Sequence, residues 1–152
     1  MAKCKLFVSY NSSDSVYYNL LKAWLQEDKY DFCNEKTANT KKADEACEER
    51  VKKADCFLYI VSENSKELSP YQRAELDSCF DSDIPIIAIN VNGLRYCDQN
   101  LCPQALQRRL VLHVSFNREI IIQAIEIWPG FYSENKVGRI GPVRFSESVY
   151  HK

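Results

Sequence analysis

A single glutamate near the start of a predicted helix is the candidate for chemistry in this chain. Glu75 lies in the segment 69–76 (SPYQRAEL), which follows an apolar predicted strand and opens an amphipathic helix. The helix dipole favours an acidic residue in the first turns of any helix, so this segment alone is a weak indication of catalysis. Its meaning depends on the elements that position it.

Short apolar runs alternate with helical patterns along the chain. Five runs predict buried strands, at residues 5–10, 30–33, 56–61, 86–91 and 110–114. Helical patterns occupy residues 16–25, 43–53, 70–80, 103–109 and 120–128, and Pro129-Gly130 is expected to end the last of them. The alternation predicts an α/β fold, a flavodoxin-like three-layer sandwich with a central parallel sheet of five strands.

The length of 152 residues fits one domain whose core is large enough to need neither disulfides nor metal. We expect residues 1–130 to form this domain. Residues 131–152 contain Gly, Pro and scattered aromatic residues without a clear period. This last segment is therefore predicted to be either a C-terminal extension packed on the same domain or a flexible tail.

The charged residues nearly cancel, with 20 Lys and Arg against 21 Asp and Glu. No global basic field would attract nucleic acid or an anionic membrane. The lysine pairs at 41–42 and 52–53, with glutamates and Arg50 between them, indicate a solvated helix face with i,i+4 pairing.

The chain starts without the apolar stretch of a signal peptide, and no apolar run approaches the ~18 residues of a membrane span. We expect a soluble, cytoplasmic protein.

Seven cysteines are spread along the chain without a paired CxxC spacing or a nearby histidine pair. This pattern argues against a zinc site and a disulfide framework, and predicts reduced thiols in a reducing cytosol. Cys56 and Cys79 fall in apolar segments and are expected to be core residues. His113 lies within an apolar predicted strand, which favours a hydrogen-bonded core histidine over a base or ligand. No metal site is expected.

In a sheet of this kind, a ligand binds in the crevice outside the carboxyl ends of the strands. The loops at residues 9–14, 34–42, 62–69 and 90–93 open there, and Glu75 lies just past the third of them. The first loop carries no glycine-rich sequence for cradling a phosphate, so a Rossmann-type redox site is not supported.

With these features in place, the chain resembles the TIR-like family, specifically the bacterial TIR-like proteins that include the sensor subunits of the Thoeris antiphage system. The matching segments, whose order and spacing make the similarity specific, are FVSY at 7–10 with Ser13-Asp14, DCFLYIV at 55–61, SPYQRAEL at 69–76 and IIAIN at 86–90. In that family the helix after the third strand carries a Ser-x-Trp-Cys-x-x-Glu-Leu-like pattern whose glutamate catalyses NAD⁺ cleavage. By position this residue is Glu75, with Tyr71 in place of Trp and Gln72 in place of Cys.

The resemblance implies an NAD⁺ nucleosidase or ADP-ribosyl cyclase, with NAD⁺ as substrate and no cofactor. Nicotinamide departs neutral from a pyridinium, so the site must stabilise an oxocarbenium-like ribose, which one carboxylate can do by charge and hydrogen bonds. Glu75 is sufficient for this, although Asp14 and Glu35 could lie near it. From loop position and resemblance, the expected substrate-binding residues are Ser9, Tyr10, Asn11, Asp14, Asn34 and Tyr71.

The resemblance also implies partners and conditions. A linear or cyclic product derived from ADP-ribose would activate a separate nucleotide-sensing effector, and activity would require self-association or a trigger such as a phage component. Two other functions stay open. One is a non-catalytic module that docks with other TIR-like domains, against which Glu75 argues mildly. The other is a response-regulator-like receiver. A receiver needs acidic residues after the first strand and a phosphoacceptor Asp after the third, and this chain has Ser9-Tyr10 and Ser62-Glu63 at these places.

Overall fold

Six parallel strands form the central sheet in the part of the chain that the structure describes. The computed structural model describes residues 3–25, 29–34 and 43–151, with the backbone alone described for residues 43–46. The strands are β1 (Cys4–Ser9), β2 (Tyr30–Phe32), β3 (Cys56–Val61), β4 (Ile86–Asn90), β5 (Val111–Ser115) and β6 (Pro142–Arg144). Their order in the sheet is β2-β1-β3-β4-β5-β6. This is the flavodoxin-like order with one further strand, so the predicted fold class is confirmed and the predicted count of five strands is wrong.

Helices cover both faces of this sheet. They are α1 (Ser15–Trp24), α2 (Ala43–Lys52), α3 (Pro70–Asp81), α4 (Gln104–Gln107), α5 (Arg118–Asn135) and α6 (Glu147–Tyr150), and a 3₁₀ turn at Ser12–Asp14 leads into α1. Leu21 of α1 and Trp128 of α5 pack in the core on one face. Val51 of α2 and Leu76 of α3 pack in the core on the other. The described chain is therefore the predicted three-layer sandwich.

The central strands follow directly from their composition. Every residue of β3 and of β4 is buried, because helices cover both faces of the sheet where these strands run. The five predicted strands begin and end within one residue of the observed ones. The buried thiols of Cys56 and Cys79 confirm the core role predicted for them. None of the seven cysteines, all of which lie within the described residues, is in a disulfide.

A capping box fixes the start of α3, the helix that carries Glu75. The Ser69 hydroxyl accepts a hydrogen bond from the backbone N–H of Gln72 at 3.2 Å, and the Gln72 side chain accepts one from the backbone N–H of Ser69 at 3.3 Å. Pro70 occupies the first helical position, where no N–H is needed. Because the first turn is fixed in this way, the position of Glu75 in the second turn is fixed as well.

The last helix does not end at Pro129-Gly130 as the sequence predicts. Helix α5 continues to Asn135 with Pro129 in its interior, where a proline costs about 3 kcal/mol or more. Aromatic packing on both sides of the proline offsets this cost. Trp128 is 2% exposed, stacks on Phe131 with ring centroids 5.3 Å apart, and contacts Tyr132.

The segment after residue 130 contributes to the sheet. Strand β6 pairs in parallel with β5, with Val111 opposite Pro142 and His113 opposite Arg144. As an edge strand, β6 tolerates Pro142, which has no N–H to donate to a further strand. The division of the chain at residue 130 stays a prediction, although α5 runs across it without a break. No helix in the described part of the chain is both long enough and apolar enough to span a membrane.

Candidate active site

Glu75 meets the end of the first strand. The Ser9 hydroxyl, on the last residue of β1, donates a hydrogen bond of 2.9 Å to Oε1 of Glu75. Ser9 is fully buried and Glu75 is partly buried. The pair lies at the carboxyl ends of the strands, which is the edge where a parallel sheet of this kind binds ligands. The two residues that the sequence places in one crevice are thus in direct contact.

The environment of Glu75 weakens its acidity. Burial raises the pKa of Glu75 from 4.5 to about 7, although the Ser9 hydrogen bond and the positive charge of Arg50 both act to lower it. Burial disfavours the charged form, whereas a donor and a nearby cation favour it. The carboxyl group therefore changes its protonation state near neutral pH.

Arg50 does not lie on a solvated helix face, although the sequence predicts one for its segment. Lys52 and Glu48 do form the predicted i,i+4 ion pair, at 2.7 Å. Arg50, however, is partly buried, and its Nη1 donates a hydrogen bond of 2.9 Å to the backbone carbonyl of Asn34. The prediction is wrong for Arg50 because its side chain reaches across to the loop after β2, a contact that no pattern within α2 could indicate.

Asn34 acts on the backbone of the first strand. Its side-chain oxygen accepts a hydrogen bond from the Val8 N–H at 2.8 Å, and its side-chain nitrogen donates one to the Val8 carbonyl at 2.6 Å. These bonds continue the pairing of β1 with β2 beyond Phe32. The geometry gives Asn34 a positioning role beside Ser9, and its predicted contact with substrate stays a prediction.

Asp14 forms a separate network with the loop after β3. It is 3% exposed, its Oδ2 accepts a hydrogen bond from the Ser62 hydroxyl at 2.5 Å, and its Oδ1 accepts one from the Asn64 side chain at 3.2 Å. Asn11 joins the same network, since its Nδ2 donates to the Asn64 carbonyl at 3.2 Å. The loops after β1 and β3 are therefore tied together beside Glu75.

The two tyrosines predicted to bind substrate differ in exposure. Tyr10 follows Ser9 and stacks on Tyr18, with ring centroids 4.9 Å apart. Burial, and then the charge of Glu75, raise the pKa of the Tyr10 hydroxyl, so this phenol stays protonated and can donate a hydrogen bond. Tyr71 is 67% exposed at the start of α3. Both assignments to substrate stay predictions.

Several supporting residues were not identified from the sequence. Ser62 and Asn64 hold Asp14, and Arg50 holds the carbonyl of Asn34. Gln72 is 1% exposed and donates a long hydrogen bond of 3.4 Å to the Tyr59 hydroxyl. For Ser62 and Asn64, the polar composition of the loop after β3 was the signal in the sequence that could have identified them. Glu35, which was expected near Glu75, lies outside the described residues.

Comparison with known proteins identifies the family to which this chain belongs. The structure of the Clostridium botulinum CMP N-glycosidase BcmB has a TM-score of 0.50 at 13% identity, covering 81% of this chain and 98% of that one. A conserved protein from Enterococcus faecalis V583 has a TM-score of 0.45 at 13% identity, covering 98% of this chain and 95% of that one. Identities this low concern the fold alone, and no curated protein matches. The family model of the TIR domain matches residues 6–125, and the chain therefore belongs to the TIR domain family.

Proposed function

We propose that this TIR-domain chain cleaves NAD⁺ between nicotinamide and ribose. The observation that carries the proposal is the Glu75 carboxyl group, which is held by the Ser9 hydroxyl at the carboxyl end of β1 and has its pKa raised to about 7. A carboxyl group whose pKa is perturbed by burial, at the ligand-binding edge of a sheet, is typical of a catalytic position.

The bond that breaks decides what the site must supply. The nicotinamide ring of NAD⁺ is a cation that leaves as a neutral base, so no general acid is required. Positive charge develops on the ribose, and a carboxylate beside it stabilises that charge directly. The ionised form of Glu75 is the active one, and the cationic ring of a bound substrate would favour it by lowering the raised pKa of Glu75.

Neighbouring groups support this role of Glu75. The Ser9 hydroxyl fixes the direction of the carboxylate, and the charge of Arg50 favours its ionised form. Tyr10 offers an aromatic ring beside the carboxylate for a nicotinamide or adenine base, with Tyr18 stacked against it. Asn11 and Asp14 hold the adjoining loop, so we assign both to shaping the crevice, and Asn11 also to a contact with ribose or phosphate.

The fold relative from Clostridium botulinum is named a CMP N-glycosidase. Cleavage of NAD⁺ at nicotinamide also breaks an N-glycosidic bond, so the two reactions would demand the same stabilised ribose cation. At 13% identity this likeness concerns the fold, and it makes CMP the competing substrate to be assayed beside NAD⁺.

We further propose that the chain is a cytoplasmic sensor of the Thoeris antiphage type. Its product would be an ADP-ribose derivative, linear if water attacks the ribose cation and cyclic if a hydroxyl or ring nitrogen of ADP-ribose does. That product would activate a separate effector protein. Self-association or a phage-derived trigger would switch the reaction on, so activity is to be sought in infected cells as well as in the purified protein.

The test is turnover of NAD⁺ and of CMP, with the products identified by mass spectrometry. Wild type, Glu75→Gln and the control Asp77→Asn, an exposed residue of the same helix, are compared before and after phage infection. Wild type and Asp77→Asn are expected to release nicotinamide, and Glu75→Gln to be slower by at least about 100-fold. Release of cytosine from CMP, with NAD⁺ untouched, would replace the proposed substrate.

A docking module without catalysis is the second candidate. It is favoured by the exposed apolar side chains of Val16 and Leu20 on α1, which are 56% and 39% exposed. Isolated exposed apolar residues are common on soluble proteins, so we rank this function second. Folded wild-type protein without turnover of either substrate in infected cells would place it first.

A further inference from the structure

Three side chains of metal-ligating type lie together on the face of the sheet that α3 and α4 cover. Cys97 and Cys102 belong to the segment between β4 and α4, and His113 is the central residue of β5. Their two sulfur atoms and an imidazole nitrogen lie within 4.8 Å of one another. None of the three belongs to the candidate active site.

The environment of His113 is the second observation. His113 is fully buried, as predicted, but within the described residues neither Nδ1 nor Nε2 has a hydrogen-bond partner. The expected core position is therefore confirmed, and the expected hydrogen bond is not found there. A buried polar group without a partner costs about 1–3 kcal/mol, and native proteins rarely retain one without a reason.

We propose that Cys97, Cys102 and His113 bind a zinc ion. Two thiolates and an imidazole are a soft ligand set, which suits zinc and does not suit magnesium or calcium. Zinc distances of about 2.3 Å to sulfur and 2.1 Å to nitrogen would place the ligand atoms about 3.5–3.8 Å apart, so small side-chain rotations suffice. Both thiols release their protons to solvent on binding, and the imidazole binds through its lone pair.

Cys97 connects the cluster to the surface of the protein. Cys97 is partly buried and lines an open cavity of about 340 Å³, together with Tyr96, Gln99 and Arg144. Cys102 and His113 lie on the inner side and are fully buried. The cavity gives an ion a route from solvent, and a water molecule from it can complete a tetrahedral site.

The segment that supplies the cysteines is already fixed against its neighbours. The Ser65 hydroxyl donates a hydrogen bond of 2.9 Å to the Leu101 carbonyl, and the Gln107 side chain donates one of 2.7 Å to the Cys102 carbonyl. A bound zinc ion would join the same segment directly to β5. Little chain entropy would then be lost on binding, because the ligands are held near their final positions.

The distance from the active site makes this a structural ion. Ser9, Tyr59, Ala88 and His113 occupy one row across four neighbouring strands. Three strand spacings of about 4.8 Å separate Ser9 from His113, about 14 Å in total. An ion at His113 is too far away to touch the bond that breaks beside Glu75, so its expected effect is on the stability of the fold.

The experiment uses the full chain, stripped with a chelator and kept reduced with a phosphine, and titrates it with zinc chloride alone. Wild type is expected to retain one zinc per chain after gel filtration and to gain thermal stability with zinc. Cobalt(II) in place of zinc should give the intense absorption of sulfur-to-cobalt charge transfer. Cys97→Ser should lower zinc affinity at least about 10-fold.

Cys4→Ser is the matched control, because Cys4 is also partly buried and lies outside the cluster. It should bind zinc as wild type does, and circular dichroism checks that each variant is folded. The proposal is overturned if wild type retains no zinc, or if folded Cys97→Ser binds it as tightly as wild type. Should Cys97→Ser fail to fold, the cobalt spectrum of wild type decides, since absence of the thiolate band overturns the proposal.

Discussion

Replacing Glu75 with glutamine is expected to stabilise the protein at neutral and alkaline pH. Burial raises the pKa of Glu75 from 4.5 to about 7, so above this range the folded protein holds a carboxylate that its surroundings disfavour. The Ser9 hydroxyl can still donate to the amide oxygen of a glutamine at this position. The substitution keeps this hydrogen bond and removes the cost of burying the charge.

The two pKa values fix the pH range and the sign. The unfolded chain ionises Glu75 near pH 4.5 and the folded protein near pH 7, so the folded state holds an extra proton between them. Wild type therefore loses stability relative to Glu75→Gln as the pH rises from 4.5, and the loss is complete above about 7. A shift of this size corresponds to about 3 kcal/mol at full strength, and partial exposure of the carboxyl reduces it to about 1–2 kcal/mol.

Urea unfolding below pH 4.5 and above pH 7 measures this difference for wild type, Glu75→Gln and Asp77→Asn. Glu75→Gln should match wild type at the lower pH and exceed its free energy of unfolding at the higher pH. Asp77 is exposed on the same helix, so Asp77→Asn should follow wild type at both. A difference between Glu75→Gln and wild type that does not change with pH would refute the reasoning, because ionisation would then not be its source.

Three further substitutions test the surroundings of this carboxyl group. Ser9→Ala removes a donor that favours ionised Glu75, so the pKa of Glu75 should rise further in a carbon-13 NMR titration; an unchanged midpoint would contradict this. Asp14→Ala leaves a buried hydroxyl of the loop after β3 without its acceptor and should lower the free energy of unfolding by about 1–3 kcal/mol, measured in urea. Asn34→Ala removes both side-chain hydrogen bonds to Val8, so hydrogen exchange of the Val8 amide should accelerate while exchange in β4 stays unchanged.

The sheet was predictable where a strand is defined by its own residues. Strands β3 and β4 are continuous apolar runs, and only a strand covered on both faces needs such a run. Strand β6 has three residues, two of them exposed, and it exists because the edge of β5 is available for pairing. The residue pattern within a segment does not show whether the edge of a neighbouring strand is available to it. The passage of α5 through Pro129 was missed for the same reason, since the aromatic contacts that stabilise it come from the folded structure.

The part of the candidate site that follows from the order and direction of the strands was predictable. Parallel strands put their carboxyl ends at one edge, which is sufficient to bring Ser9 near Glu75. The role of Arg50 was hidden, because a helix rich in Glu and Lys looks the same whether one arginine reaches a loop or not. The cluster of Cys97, Cys102 and His113 was hidden because its third member comes from a different element, where spacing rules for zinc ligands give no guidance.

Two carboxyl groups lie near the crevice, and their hydrogen bonds separate their roles. Both oxygens of Asp14 accept hydrogen bonds, from Ser62 and from Asn64, so a ribose hydroxyl would have to displace a donor that holds two loops together. Glu75 accepts its hydrogen bond at Oε1, from Ser9, and its Oε2 accepts none from the part of the chain that the structure describes. A mechanism that uses one carboxylate to stabilise a ribose cation needs an oxygen that is both fixed in direction and open to substrate. Glu75 meets both requirements, whereas Asp14 meets the first alone.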